Sequence, residues 1–205
     1  MSILRVKGSA KWEDSRPATQ RCKACGQHLD SLQLLDHEGG SRILVVVGTP
    51  MGNECDAHRF FPPSNTSCSA FRELFLRTVG TDLDECHISP IVACSVDKLL
   101  KSVRTACSAR FDAVLARPWR VIVCVGTESL KHAFMRGAST PSLETLIGNP
   151  VVSREHKSKI VVLPDPWMLK EVEDTRYFAE PARELKLKEE QMVKAMNAVK
   201  EVLNG

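Results

Sequence analysis

The chain has 205 residues, of which 43% are hydrophobic and 26% are charged, and its formal net charge at pH 7 is only +3. This length and composition predict a globular protein with one large or two small domains. The small net charge excludes nucleic-acid binding through a general polycationic character, so any nucleic-acid surface has to be a local patch.

Residues 1–20 are polar and without periodicity, which predicts an irregular N-terminal arm followed by a single domain over residues 21–205. This arm has no hydrophobic segment of signal-peptide length, and no run of about 18 apolar residues follows it. We therefore expect no membrane span and a cytoplasmic location. We also expect a monomer. In a reducing compartment the eight cysteines are expected to be thiols and metal ligands rather than disulfides.

Short, continuously apolar segments predict strands that are covered on both faces of a sheet. In chain order they are RILVVVG (42–48), CHISPIV (86–92), RVIVCVG (120–126) and KIVVLP (159–164). Apolar residues at helical spacing predict helices in the intervals and at the end, over 67–80, 96–116, 127–137 and 184–204. This alternation predicts a three-layer α/β/α fold with a central, mostly parallel four-stranded sheet. Ligands of such sheets bind beyond the carboxyl ends of the strands.

The cysteine spacing raises the question of a metal site. Cys22 and Cys25, in RCKACGQHLD (21–30), could be half of a zinc site, a redox pair, half of an iron–sulfur site or a chance pair. Cys94 ends the second predicted strand and Cys107 lies on the next helix, so all four thiols can converge at one corner. Four thiolates suit zinc or an iron–sulfur cluster. The cysteines inside predicted apolar elements are expected to be core residues: Cys68, Cys86 and Cys124.

Several motifs resemble one known family in their order and spacing. After the Cys22–Cys25 pair they are GTPMGNECD (48–56), RFF (59–61), ISPIVAC (88–94), AC (106–107), ARPWRVIVCVGTESL (116–130) and LPDPWMLK (163–170). Together they resemble the iron–sulfur uracil-DNA glycosylases of family 4 and their phage and bacterial relatives. The resemblance covers roughly residues 20–203. It implies a protein that flips a uracil-type or modified base out of DNA and hydrolyses its N-glycosidic bond.

The resemblance also implies a cofactor and a set of site residues. A 4Fe–4S cluster, with zinc as the alternative, would be held by Cys22, Cys25, Cys94 and Cys107. The candidate catalytic residues are Glu54 and Asp56, which would orient water or stabilise a cation-like sugar, and Asp165. The candidate base- and DNA-binding residues are Gly48, Thr49, Gly52, Arg59, Phe61, Ser89 and Pro90. Among these, Phe61 would stack on the flipped base or pack in the core.

The chain departs from the family pattern at three positions. Thr49 replaces an acidic residue of the glycine loop, Pro90 replaces the asparagine that reads uracil, and Asp165 replaces a histidine. An ionised aspartate repels an oxyanion, so Asp165 is expected to bind an amino group of a different base or to be a turn residue. The alternative function is a catalytically inactive glycosylase-fold module that binds DNA or a protein partner.

Basic residues near the predicted strand ends and loops suggest phosphate contacts, which would make DNA affinity fall steeply with salt. Together with Arg59 they are Arg117, Arg120, Arg136, Arg154, Lys157 and Lys159.

Overall fold

The computed structural model describes residues 36–48, 60–93, 101–134, 142–152, 158–169 and 181–205. The predicted arm of residues 1–20 lies outside these ranges. The strands are β1 (Ile43–Val47), β2 (His87–Pro90), β3 (Val121–Val125), β4 (Val151–Val152) and β5 (Lys159–Leu163). The helices are α1 (Thr66–Val79), α2 (Lys101–Leu115), α3 (Thr127–Phe134), α4 (Leu143–Leu146) and α5 (Pro181–Asn204).

The strands form one five-stranded sheet in the order β2-β1-β3-β5-β4. All the pairings among β1, β2, β3 and β5 are parallel, which confirms the predicted α/β class with a mostly parallel sheet. The predicted count of four strands is wrong, because a fifth strand, β4, joins the sheet. It pairs antiparallel with β5. The two residues of β4, Val151 and Val152, are exposed and too few to show an alternating or continuously apolar pattern.

Helices cover both faces of the sheet and so create the predicted three layers. Alternate β1 residues point to opposite faces, since side chains of a strand alternate in direction. Ile43, Val45 and Val47 join the core formed with α1 and α5. Leu44 and Val46 join the core formed with α2, α3 and α4.

Capping residues set the ends of α1. The side chain of Asn65 accepts a hydrogen bond from the Cys68 amide at 3.1 Å, which satisfies one of the free donors of the first turn. Gly80 ends the helix in the left-handed conformation, with φ of 84°, and its amide donates to the Leu76 carbonyl. No helix within the described ranges combines the length and the apolar composition needed to cross a bilayer.

The segment before β1 covers the outer edge of β2. His37 and Ile88 exchange backbone hydrogen bonds of 2.8 and 2.9 Å in an antiparallel bridge. Two residues later, Gly39 passes so close to the chain before β2 that a Cβ there would collide with the Glu85 and Cys86 carbonyl oxygens. This contact requires glycine because backbone atoms, rather than a flexible side chain, occupy the space.

Gly39→Ala is therefore expected to lower the free energy of unfolding by about 1–3 kcal/mol, the usual cost of overpacking. Gly40→Ala is the matched control, since a Cβ at Gly40 meets no described atom within 4 Å. Urea unfolding of both variants measures the difference. Equal stability of the two variants would show that the 36–42 segment does not lie against β2 as described.

Candidate functional site

The carboxyl ends of four parallel strands meet at one edge of the sheet, which we call the carboxyl edge. Backbone pairing continues to this edge, where the Val92 amide donates to the Gly48 carbonyl at 3.1 Å and the Gly126 amide to the Leu163 carbonyl at 2.8 Å. Gly48 is half-buried, and a Cβ built on it meets no described atom within 4 Å. Among the described residues, none therefore blocks approach to the backbone at the end of β1.

Asp165 lies at the carboxyl edge, two residues after the end of β5, and contacts the end of β3. A Cβ built on Gly126 would lie 2.5 Å from Oδ1 and 2.9 Å from Oδ2 of Asp165. Gly126 has φ of 76°, so both its backbone conformation and this contact favour glycine. The half-buried Asp165 carboxyl group thus packs directly against the backbone of the β3–α3 turn.

Burial raises the pKa of the Asp165 carboxyl, and a hydrogen bond from the Trp167 side chain opposes this rise. Trp167 belongs to a 3₁₀ turn, Pro166–Leu169, in which the Met168 amide donates to the Asp165 carbonyl at 3.0 Å. The Trp167 side chain is 60% exposed, which is unusual for a large apolar ring. Carboxyl groups with perturbed pKa values at the mouth of a sheet are typical of functional sites.

A buried hydroxyl group holds the β3–α3 turn beside Asp165 in place. The Ser129 hydroxyl lies 2.7 Å from the Val125 carbonyl oxygen and 2.8 Å from the Gly126 carbonyl oxygen. Both oxygens are acceptors for its single hydrogen. Ser129 is 1% exposed, so these contacts are shielded from water. The turn that carries Gly126 is therefore preorganised by the scaffold.

Ser89 and Pro90, two predicted base-binding residues, lie in a polar cluster with Arg110 and Asp36. The Ser89 hydroxyl donates to Oδ1 of Asp36 at 2.5 Å. Arg110 donates through Nη1 to the same Oδ1 at 2.5 Å and to the Ser89 hydroxyl at 3.2 Å. Through Nη2 it donates to the carbonyls of Pro90 and, at 3.3 Å, of Ile91. Ser89 is fully buried in this network, which ties the end of β2 to α2 and to the segment before β1.

Phe61, predicted to stack on a base or to pack in the core, is 0% exposed. Its ring centroid lies 5.2 Å from that of Phe71, and it belongs to the core formed with α1 and α5. Its φ of 51° is uncommon for a residue with a Cβ. Stacking on a base would require this ring to leave the core, so its contacts here are those of a packing residue.

The opposite, amino edge of the sheet carries three of the basic residues that were predicted to contact phosphate. Arg117 and Arg120 precede β3, and Lys159 is the first residue of β5. Because the two strands run parallel, these side chains start at the amino edge and not at the carboxyl edge. They therefore lie apart from the carboxyl edge, and their contact with phosphate stays a prediction. Arg136, Arg154 and Lys157 lie outside the described residues.

His87 is buried at the amino edge, where it is 1% exposed. Its ring centroid lies 5.1 Å from that of Trp119, and Arg117 Nη1 donates to Nδ1 at 3.4 Å. A guanidinium can only donate, so Nε2 carries the hydrogen of the neutral ring. This Nε2 has no hydrogen-bond partner among the described residues. Burial, with a further contribution from Arg117 and His37, lowers the pKa of His87, while Asp36 and Glu38 act in the opposite direction.

We therefore expect acid to destabilise the protein through His87. Its folded-state pKa lies below the unfolded value, so the stability it contributes is present above about pH 6.5 and is lost as the pH falls below that value. His87→Phe keeps a ring against Trp119 and removes the titration. Thermal unfolding from about pH 8 to about pH 5 should show a smaller loss of stability in the variant. A variant with the same pH slope as the natural protein would contradict this assignment.

The remaining predicted site residues of the glycine loop, Thr49, Gly52, Glu54, Asp56 and Arg59, lie outside the described residues. Three predicted metal ligands, Cys22, Cys25 and Cys94, also lie outside them. Within the described ranges no three His, Cys, Asp or Glu side chains come together as a metal site.

The fourth predicted ligand, Cys107, is 4% exposed on the inner face of α2. It belongs to the same buried cluster as Ile91 and Val92, which precede Cys94 by only three and two residues. The ligand set of Cys107 with Cys22, Cys25 and Cys94 stays a prediction. Cys86 and Cys124 are buried core residues as predicted, and burial raises the pKa of both thiols to about 12.

A groove of about 630 Å³ runs along the outside of α5 beside Gly148. Its lining contains Lys186 and Lys194 but also Glu189, Glu190 and Glu201. The mixed charge does not favour an anionic ligand, and no predicted site residue lines the groove.

Four residues at these sites escaped prediction from the sequence: Asp36, Arg110, Gly126 and Trp167. The glycine after β3 and the tryptophan after β5 follow strand ends, and that position is a usable signal. The pairing of Arg110 with Asp36 spans 74 residues and has no local signal. Neither a protein-family model nor a curated protein matches the chain.

Proposed function

We propose that this chain is a DNA glycosylase-like protein of the uracil-DNA glycosylase superfamily, which flips a uracil-type or modified base out of DNA and hydrolyses its N-glycosidic bond. The observation that supports this proposal most is the carboxyl edge, where no described atom lies within 4 Å of a Cβ built on Gly48 and Asp165 holds a half-buried carboxyl group against Gly126. The order and spacing of the sequence motifs are the second support.

The proposed reaction needs three contributions from the chain. The base has to be held outside the stack, and the exposed Trp167 ring suits that task. A carboxylate, Glu54 or Asp56, orients the water. Water then adds to C1′ while the bond from C1′ to the base nitrogen breaks. The base leaves with the bonding electrons and takes up a proton.

We further propose that Cys22, Cys25, Cys94 and Cys107 hold a 4Fe–4S cluster, with zinc as the alternative. When bound, the cluster would act as a structural crosslink between the N-terminal segment, the end of β2 and α2. Cys107→Ser is expected to abolish the broad absorption near about 400 nm of an anaerobic preparation.

Cys124→Ala is the matched control for Cys107→Ser, since this thiol is fully buried in β3 and its pKa is about 12. The control should keep the absorption of the natural protein. A colourless protein with bound zinc would support the alternative metal and contradict the cluster.

The test of the activity is release of free base. The iron-loaded protein is incubated with single- and double-stranded oligonucleotides that carry uracil, hypoxanthine, xanthine or a modified pyrimidine. Abasic product and free base are measured by chromatography and mass spectrometry. We expect release of at least one base, with loss of release in Glu54→Gln or Asp56→Asn. No release from any substrate with the metal site loaded would overturn the enzymatic proposal.

The second candidate is a glycosylase-fold module that binds DNA or a protein partner without catalysis. The burial of Ser89, Pro90 and Phe61 favours it, because these predicted base contacts take part in internal packing. This candidate predicts salt-dependent DNA binding with no abasic product. It also predicts that Glu54→Gln with Asp56→Asn leaves binding intact. For either function we place the protein in the cytoplasm as a monomer.

A further inference from the structure

We infer that Arg42, Arg117 and Arg120 form a phosphate-binding surface at the amino edge of the sheet, which holds the backbone of a nucleic-acid strand without reading its bases. This surface lies at the edge opposite the proposed base site. The inference rests on the proposed function for the choice of DNA as the polymer, because the arginines themselves specify only phosphate.

The register of the sheet places two of these arginines side by side. Ile43 pairs with Val121, and the Arg120 amide donates to the Arg42 carbonyl at 2.9 Å, so the pairing of β1 with β3 continues to the two arginines. Neighbouring strands lie about 4.8 Å apart, so the two side chains start close together on the same face. Both residues are exposed.

The charges of this arginine pair are not balanced by described carboxylates. Like charges at paired strand positions repel each other and destabilise a sheet. The ion pairs formed within the described ranges include neither Arg42 nor Arg120. A bound anion would relieve the repulsion, because it brings negative charge to both guanidinium groups.

The backbone holds the Arg42 guanidinium in a fixed position. Nε and Nη2 donate to the Pro118 carbonyl at 3.2 and 3.1 Å. These two contacts leave the Nη1 hydrogens without an acceptor among the described residues. An anion that binds there pays little side-chain entropy, since the guanidinium is already ordered.

Arg117 brings a third guanidinium to the same turn. Its Cζ lies 4.8 Å from the centroid of the Trp119 ring, and its Nη1 lies 3.4 Å from His87 Nδ1. Its ion pair with Glu38 is long, at 3.9 Å, and the Glu38 side chain is 80% exposed. Such an exposed pair contributes little stability, so a phosphate group can displace Glu38.

The chemistry of this surface favours a nucleic-acid backbone over a protein partner. The planar guanidinium group matches the oxygens of a phosphate group in a bidentate contact. His87 and Trp119, the rings beside the arginines, are only 1% and 7% exposed. They offer neither an apolar centre for a protein interface nor a platform on which a base can stack. Lys159, exposed at the start of β5, continues the positive charge along the edge, which suits a linear polyanion.

The test measures how DNA affinity depends on salt. Binding of thymine-only and adenine-only single strands is followed by fluorescence anisotropy from about 0.05 to about 0.2 M salt. In the double variant Arg42→Gln with Arg120→Gln, the slope of log affinity against log salt should become shallower by about 1.4, which is about 0.7 for each lost phosphate contact. Affinity at about 0.1 M salt should fall about ten-fold, equally for both sequences.

Two controls separate charge from folding. Arg42→Lys with Arg120→Lys keeps the charges and should recover most of the slope. Arg77→Gln removes an arginine that is 62% exposed on α1, which covers the other face of the sheet, and should leave the slope unchanged. An unchanged slope in the glutamine double variant overturns the inference, as does an equal loss in Arg77→Gln.

Competitors identify the source of the phosphate. Inorganic tripolyphosphate and poly-glutamate are added to the DNA complex at the same concentration of negative charge as unlabelled thymine-only strand. The inference predicts that the unlabelled strand displaces the labelled strand best. Equal displacement by tripolyphosphate would assign the surface to free polyphosphates, and equal displacement by poly-glutamate would assign it to an acidic protein segment. Either result overturns the assignment to a nucleic-acid backbone.

Failure of this inference is distinguishable from failure of the proposed function. Salt-dependent binding that weakens in the glutamine double variant, without base release by the natural protein, supports the phosphate surface and overturns catalysis. Base release by the natural protein, with the same salt slope in the double variant, supports catalysis and overturns the phosphate surface.

Discussion

Arg110→Met is expected to lower the free energy of unfolding by about 3 kcal/mol, the usual cost of removing one partner of a buried ion pair. The Arg110 and Asp36 side chains are only 24% and 21% exposed, and their charged atoms lie 2.5 Å apart. The substitution keeps the apolar stem but leaves Asp36 without its guanidinium. It also removes the donor to the Pro90 and Ile91 carbonyls. Urea unfolding followed by circular dichroism measures the loss.

A surface arginine provides the control for Arg110→Met. Arg77 is 62% exposed and lies 3.6 Å from Glu189, so Arg77→Met should change stability by less than about 0.5 kcal/mol. Asp36→Leu in the Arg110→Met background should recover part of the loss, because the pair is then replaced by apolar groups. Equal stability of the Arg110 and Arg77 variants would show that the cluster around Ser89 does not hold the end of β2.

Gly126→Ala is expected to slow the proposed base release by about ten-fold or more. The new Cβ would lie 2.5 Å from Oδ1 of Asp165. Because the carboxyl group is the end of a flexible side chain, it moves away from its position at the carboxyl edge. The left-handed φ of 76° adds about 1–2 kcal/mol of backbone strain.

Gly80→Ala matches this backbone strain without the collision. Gly80 has φ of 84°, and a Cβ there meets no described atom within 4 Å. Both variants should therefore lose about 1–2 kcal/mol of stability, and only Gly126→Ala should lose base release. If the two variants release base equally fast, Asp165 does not act in the reaction.

Local sequence pattern was sufficient to predict the scaffold. Strands such as β1 and β3 are continuously apolar because both faces are covered, and that pattern is visible in the sequence. The pairing of the segment before β1 with the outer edge of β2 was not predictable. Its bridge between His37 and Ile88 joins residues that are distant in the chain. The same is true of the Arg110–Asp36 pair, whose burial depends on the finished fold.

The site was predictable only where it follows strand ends. Gly48 and Asp165 come directly after apolar strands, and the structure places both at the carboxyl edge. Ser89 lies within a strand, and its partners Asp36 and Arg110 come from other elements, so its buried role could not be derived from spacing. The Phe61 side chain enters the core from a backbone with positive φ, and no local sequence signal predicts that conformation.

The most direct test of this account is the position of a bound base. The iron-loaded protein would be crystallised with a single-stranded oligonucleotide whose target nucleotide carries a 2′-fluoro group to slow hydrolysis. We predict a flipped base within about 3 Å of the Asp165 carboxyl oxygens and stacked on Trp167. A base bound at the α5 groove, or at the amino edge near Arg117, would contradict the assignment of the carboxyl edge as the functional site.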